Sequence, residues 1–170
     1  MVASNTVRNG WRRQLSEYLS VPAGRVHLIG TGNQLRGDDA VGLYIVGRIR
    51  KLYGRFLPAG VKIHPASLNP EMLMSKVGML QEKMVVFDAV ECNSSPGTII
   101  CSDLTDTKYG FFATHNIPMR LIPSLSAGSG TALVTGIQPL SLEVAEGLSG
   151  PVRTSADEIV RYLGETFGVV

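Results

Sequence analysis

Val26-His27-Leu28-Ile29-Gly30-Thr31-Gly32-Asn33-Gln34-Leu35-Arg36-Gly37-Asp38-Asp39 is the stretch on which the fold turns. Val26 to Ile29 is a short apolar run stopped by Gly30, the pattern of a buried strand. From Asp39 to Tyr53 the period changes. Val41, Ile45, Ile49 and Leu52 recur at intervals of four, four and three, which predicts a helix with one apolar stripe. A strand passing through a glycine-bearing loop into a helix is the repeating unit of α/β domains. The loop thus falls where ligands gather in open α/β sheets, beyond the strand end and before the helix.

Working outward, Val61 to Ile63 reads as a second strand and Pro70 to Val77 as a short helix. Lys83 to Ala89 is a third strand whose interior is continuously apolar, as in the buried centre of a parallel sheet. Thr98 to Cys101 and Leu133 to Gly136 supply a fourth and a fifth, and Ser155 to Phe167 closes the chain as a helix. The short step from strand three to strand four, Glu91 to Gly97, suggests a hairpin and one antiparallel strand. The expected architecture is a three-layer α/β sandwich with a mostly parallel, mixed five-stranded sheet flanked by helices. Residues 26–170 form one domain. Residues 1–25 form a helical extension packed on it, with Trp11, Leu15, Tyr18 and Leu19 at helical spacing.

At 170 residues and 44% apolar, the chain has enough material for one sizeable core. The net charge of +2 is small and its basic residues are scattered, which argues against a nucleic-acid partner. No apolar run approaches the ~20 residues that span a bilayer, and the first ten residues lack the apolar segment of a signal peptide. A cytoplasmic protein without membrane insertion is expected, with Cys92 and Cys101 reduced.

The loop after strand one begins as a dinucleotide fingerprint and then departs from it. Leu35 stands where a third small residue is needed, and no acid follows strand two, where the chain reads His64-Pro65-Ala66-Ser67. There is no HExxH and no GxSxG elbow. What remains is acidic. Asp38 and Asp39 can cap the following helix, or serve a site whose backbone N–H groups hold the carboxylate ionised for a metal. Asp88 closes strand three, where a charge needs a partner to offset its desolvation. His115, in Ala113-Thr114-His115-Asn116-Ile117-Pro118, is either a solvated loop residue or a ligand on the same rim. His27 and His64, within or beside strands, read as structural.

Together these segments resemble the hydrogenase maturation endopeptidases, which remove the C-terminal tail of the [NiFe] hydrogenase large subunit. GTGNQLRGDDAVG (Gly30 to Gly42), VVFDAVECNSSPGTI (Val85 to Ile99), THNIPM (Thr114 to Met119) and GIQP (Gly136 to Pro139) carry the resemblance, the last two towards the branch serving energy-converting hydrogenases. Ala40 departs from it, since a glycine often follows the paired acids. The resemblance implies that Asp39, Asp88 and His115 are the catalytic and metal-binding trio. Nickel would arrive in the substrate, and other divalent ions such as cadmium or zinc would fit. Asn116, Gln138 and Asp38 are the candidate substrate-binding residues. The implied partner is the large-subunit precursor and the implied enzyme a monomer. A non-catalytic metal-binding or chaperone module for the precursor is the alternative, as is another peptidase on the same scaffold.

Overall fold

The computed structural model describes residues 4–20, 25–66, 82–103, 112–113 and 132–170. Helix α1 (Ser4–Ser20) leads into β1 (Val26–Thr31), a 3-10 turn (Gly37–Ala40) and α2 (Val41–Tyr53). Strands β2 (Val61–Ala66), β3 (Lys83–Glu91), β4 (Ile99–Asp103), the two-residue β5 (Phe112–Ala113) and β6 (Ala132–Ile137) follow, and α3 (Gly150–Thr166) ends the fold. The helix expected at Pro70 to Val77 lies outside the described residues.

The five main strands lie in the order β2-β1-β3-β6-β4. The first four are parallel and β4 runs antiparallel. The sheet is thus mixed and mostly parallel, as its apolar runs imply. β3 sits at its centre with eight of nine residues buried. Alternation divides the core. Val85, Phe87 and Ala89 of β3 join Leu28, α2 and α3 on one face, together with Trp11 and Leu15 of α1. Met84, Val86 and Val90 join Ile29 and Val134 on the other.

The antiparallel strand is present, but the hairpin is not. β4 pairs with β6 rather than with β3, because the segment after β3 arches over the end of β6. Gln138 pins that arch: its Oε1 accepts from the backbone N–H of Cys92 (2.8 Å) and Ser94 (3.4 Å). β3 also outruns its expected end. It continues to Glu91 because β6 pairs as far as Ala89 and β5 pairs with Val90 and Glu91. Asp88 therefore sits inside the strand and not at its mouth.

The amino-terminal helix is fixed to α3 at three points. Arg12 makes a 2.7 Å ion pair with Glu158, the Tyr162 hydroxyl donates to the Arg12 carbonyl, and Trp11 meets Tyr162 edge-on. Cys92 and Cys101 are both free thiols, and burial pushes Cys101 up to about 11, which leaves it unreactive near neutral pH.

Candidate active site

The site rests on a close approach between α2 and the ends of the central strands. A Cβ on Gly42 would lie 2.1 Å from the Phe87 carbonyl oxygen and 2.5 Å from that of Thr31. Only glycine lets the first turn of α2 lie flat on β1 and β3. Gly32 has φ +125°, and a Cβ there would lie 1.8 Å from the Asp39 carbonyl oxygen. The loop therefore folds back tightly enough to carry Asp39 over the sheet edge towards Asp88.

Asp39 and Asp88 are both buried at 1% exposure, and each has one oxygen bound and one left over. Asp39 Oδ2 accepts from the Asn33 N–H at 3.1 Å, and Asp88 Oδ1 from the Ala89 N–H at 2.9 Å. Among the described residues, Asp39 Oδ1 and Asp88 Oδ2 are buried without any hydrogen-bond partner. Burial pushes the Asp88 carboxyl up to about 8, and the charge of Asp39 adds to the rise. The Thr31 hydroxyl and the Ala89 N–H work against it. The help from Thr31 is limited, because its one proton already serves the Phe87 carbonyl at 3.0 Å. Near neutral pH the pair can therefore hold a proton and release it, and its free oxygens suit a cation.

Asp38, next in the chain, is placed quite differently. Its Oδ2 accepts from the Leu140 N–H (2.8 Å), the Ser141 N–H (3.3 Å) and the Ser149 hydroxyl (2.8 Å), and its Oδ1 from the Ser149 N–H (2.7 Å). The expected capping of its own helix is absent, since neither the 3-10 turn nor α2 has a side-chain cap bond. Asp38 instead holds Ser149, the residue that starts α3. Gln138 is likewise engaged within the fold, its amide donating to the Pro139 carbonyl at 3.2 Å besides its bonds to Cys92 and Ser94.

The structure thus brings Asp39 and Asp88 together and turns Asp38 and Gln138 inward. His115 and Asn116 lie outside the described residues. Among the described residues no group of three or more His, Cys, Asp or Glu side chains is arranged to hold a metal ion. The described part of the trio is its two carboxylates. Sequence reading missed Thr31, which flanks Asp88 across the β1–β3 register, Gly30 being paired with Phe87. Strand register, the signal that would have found it, cannot be read from one strand alone.

The fold is shared with proteins of known structure. The fold matches the [NiFe] hydrogenase maturation protease HycI of Thermococcus kodakarensis KOD1 with a TM-score of 0.75. The match covers 91% of this chain and 98% of that one at 24% identity. The endopeptidase HycI of Escherichia coli matches at 0.66, covering 83% and 91% at 21% identity. In sequence, a Methanocaldococcus jannaschii protein provisionally named a hydrogenase maturation protease is 30% identical over 148 residues, covering 81% of this chain and 94% of that one. The HycI hydrogenase maturation protease family matches residues 46–165, and the chain belongs to that family. The matched segment contains Asp88 and Gln138 and begins after Asp39.

Proposed function

We propose that this chain cleaves the C-terminal tail from the large-subunit precursor of an [NiFe] hydrogenase, recognising nickel already seated in that precursor. The observation that carries this reading is the pair of buried, partnerless oxygens, Asp39 Oδ1 and Asp88 Oδ2. Each unsatisfied buried acceptor costs roughly 1–3 kcal/mol. Two of them, on carboxylates near enough for the charge of Asp39 to act on Asp88, would be relieved by a cation or by a proton in transit. Two carboxylate oxygens and one imidazole nitrogen, with positions left open, suit nickel and admit zinc or cadmium.

His115 is the proposed third ligand. β5 pairs Ala113, two positions before it, with Val90, two positions after Asp88. In this reading nickel belongs to the substrate and serves to anchor it. Asp39, Asp88 and His115 take hold of the precursor, and a carboxylate of the pair assists attack of water on the scissile carbonyl. That carboxylate takes the proton from the water and passes it to the leaving amine. Asn116 and the backbone around Gln138 are proposed to hold the tail. The enzyme is read as a cytoplasmic monomer.

The test is to mix the purified protein with a nickel-loaded precursor and weigh the products by mass spectrometry. Loss of one C-terminal peptide is expected. Tight association with no change in mass would replace the peptidase with a chaperone. His115→Ala distinguishes anchor from catalyst. An anchor variant should regain most of its single-turnover rate at saturating enzyme, whereas a lost catalyst leaves the plateau low.

A further inference from the structure

Six large apolar side chains are exposed among the described residues, and three of them share one feature of the fold. Leu35 (72% exposed) lies on the loop after β1, and Leu140 (60%) and Val144 (83%) lie on the segment between β6 and α3. These two segments are stitched to each other. The Ala145 N–H donates to the Leu35 carbonyl at 3.3 Å and the Gly37 N–H to the Ala145 carbonyl at 3.0 Å. Arg36 Nε donates to the Leu142 carbonyl at 3.0 Å, and Asp38 clamps Leu140, Ser141 and Ser149. Leu35 and Val144 therefore stand on either side of a small bridge, Arg36 to Ala145, that ends where Asp38 and Asp39 begin.

Scattered exposed leucines are ordinary. Apolar groups on a cross-linked ledge are not, because a pre-ordered apolar surface can bind without a further ordering cost. Glu143 and Glu146 are exposed on either side of Val144, and neither forms an ion pair among the described residues. Glu143 and Glu146 give the ledge an acidic margin, with the Arg153 guanidinium beyond them against Gly147, and the loop that carries Leu35 runs on through Asp38 to Asp39.

We infer that Leu35, Leu140 and Val144 form the docking ledge for the polypeptide substrate, and that they take an apolar, basic-flanked segment of the large-subunit precursor. This rests on the function proposed above and adds a specificity surface to it. A protease acting on one folded partner needs contacts beyond the reacting bond, and those contacts set the half-saturating concentration more than the chemical rate.

The test uses the full chain and a purified nickel-loaded precursor, with single-turnover cleavage followed against rising enzyme concentration. Leu35→Ser, Leu140→Ser and Val144→Ser together should raise the half-saturating concentration at least about tenfold, with the loss confined to that parameter. Glu143→Lys with Glu146→Lys should raise it as well. Val144→Ser alone, at the most exposed position, covers the case in which the triple variant does not fold. Unchanged half-saturation with cleavage intact overturns the ledge and leaves the peptidase standing. Failure of the unaltered chain either to bind or to cleave the precursor overturns both. If sedimentation shows a dimer that these substitutions dissociate without altering half-saturation, the ledge belongs to a second copy of this chain and the inference falls.

Discussion

Asp38 and Asp39 are adjacent, and each is only 1% exposed, yet their surroundings could hardly differ more. Asp38 gathers four donors from residues 140–149, and every one of its contacts is internal. Among the described residues, Asp39 has one donor and an oxygen without a partner, and Asp88 likewise has one oxygen bound to a backbone N–H and one without a partner. A buried carboxylate supplied with donors adds stability, whereas one left short of donors costs stability and keeps its capacity to bind. Of two neighbouring acids, one is thus spent on holding residues 140–149 together, and the other keeps an oxygen without a partner among the described residues.

The largest expected effect follows from the bare pair. Asp88→Asn and Asp39→Asn should each lower cleavage of the precursor by on the order of 10²–10⁴. Asp88→Asn should at the same time stabilise the fold. The folded carboxyl holds its proton up to about 8, whereas the unfolded one loses it near the ordinary 3.8. Folding therefore becomes less favourable as pH rises between those values, by a few kcal/mol in all. Asparagine removes that slope, so the gain in melting temperature should be small near pH 4 and largest at pH 8. Melts that cross the other way would mean that Asp88 is already satisfied and the comparison with Asp38 is wrong.

Second in size is the loss of the clamp. Asp38→Ala strips the donors of Leu140, Ser141 and Ser149 of their acceptor at once, which should cost about 2–4 kcal/mol. Asp38→Asn should keep part of this, because its one remaining oxygen can still accept while its NH₂ faces donors. Both variants should retain measurable turnover at low temperature. If Asp38→Ala melts with the unaltered protein while losing all cleavage, the two aspartates have been assigned the wrong way round.

Binding of free metal gives a third and smaller effect. A cation at the pair must displace the Asp88 proton, so nickel or zinc affinity should rise with pH and level off above about 8. Calorimetry between pH 6 and 9 reads this directly. A pH-independent affinity would separate Asp88 from the metal.

Much of this was legible in the sequence for a simple reason. Apolar period marks strands and helices, and acids set against apolar runs stand out as candidates. Val85, Val86 and Phe87 announce a central strand, and Asp39 with Asp88 announce a rim. What was hidden depends on contacts distant in the chain. The donors to Asp38 lie more than 100 positions away, so the capping rule, which looks only a turn ahead, assigned it to the wrong helix. The order β3-β6-β4 was hidden for the same reason, because a seven-residue link can form a hairpin or arch over a neighbour. Gln138, just past the end of β6, holds the arch in place by accepting from Cys92 and Ser94.

The smallest effect comes from the other end of the same strands. His27 Nδ1 lies 2.8 Å from His64 Nε2, and His27 Nε2 lies 2.5 Å from Glu82, which is also 3.4 Å from Arg25. His27 is paired with Met84, four residues and roughly 13 Å along β3 from Asp88. Burial holds His64 below its ordinary 6.5, helped by His27, Arg50 and Lys62. A folded value below the unfolded one gives stability that is present above 6.5 and lost as pH falls through the folded value. Chemistry agrees with this sign: the contact between the rings needs one donor and one acceptor, and two imidazolium rings offer only donors. The two ends of the sheet therefore carry opposite slopes, with Asp88 weakening the fold as pH rises and His64 weakening it as pH falls. His64→Gln should flatten the decline in melting temperature between pH 7 and 5 by at most a few degrees. Its cleavage of precursor near pH 7.5 should match that of the unaltered chain, because the histidine pair lies outside the carboxylate rim. An unchanged acid slope would place the acid sensitivity elsewhere, and a loss of cleavage at pH 7.5 would show that the two ends are coupled.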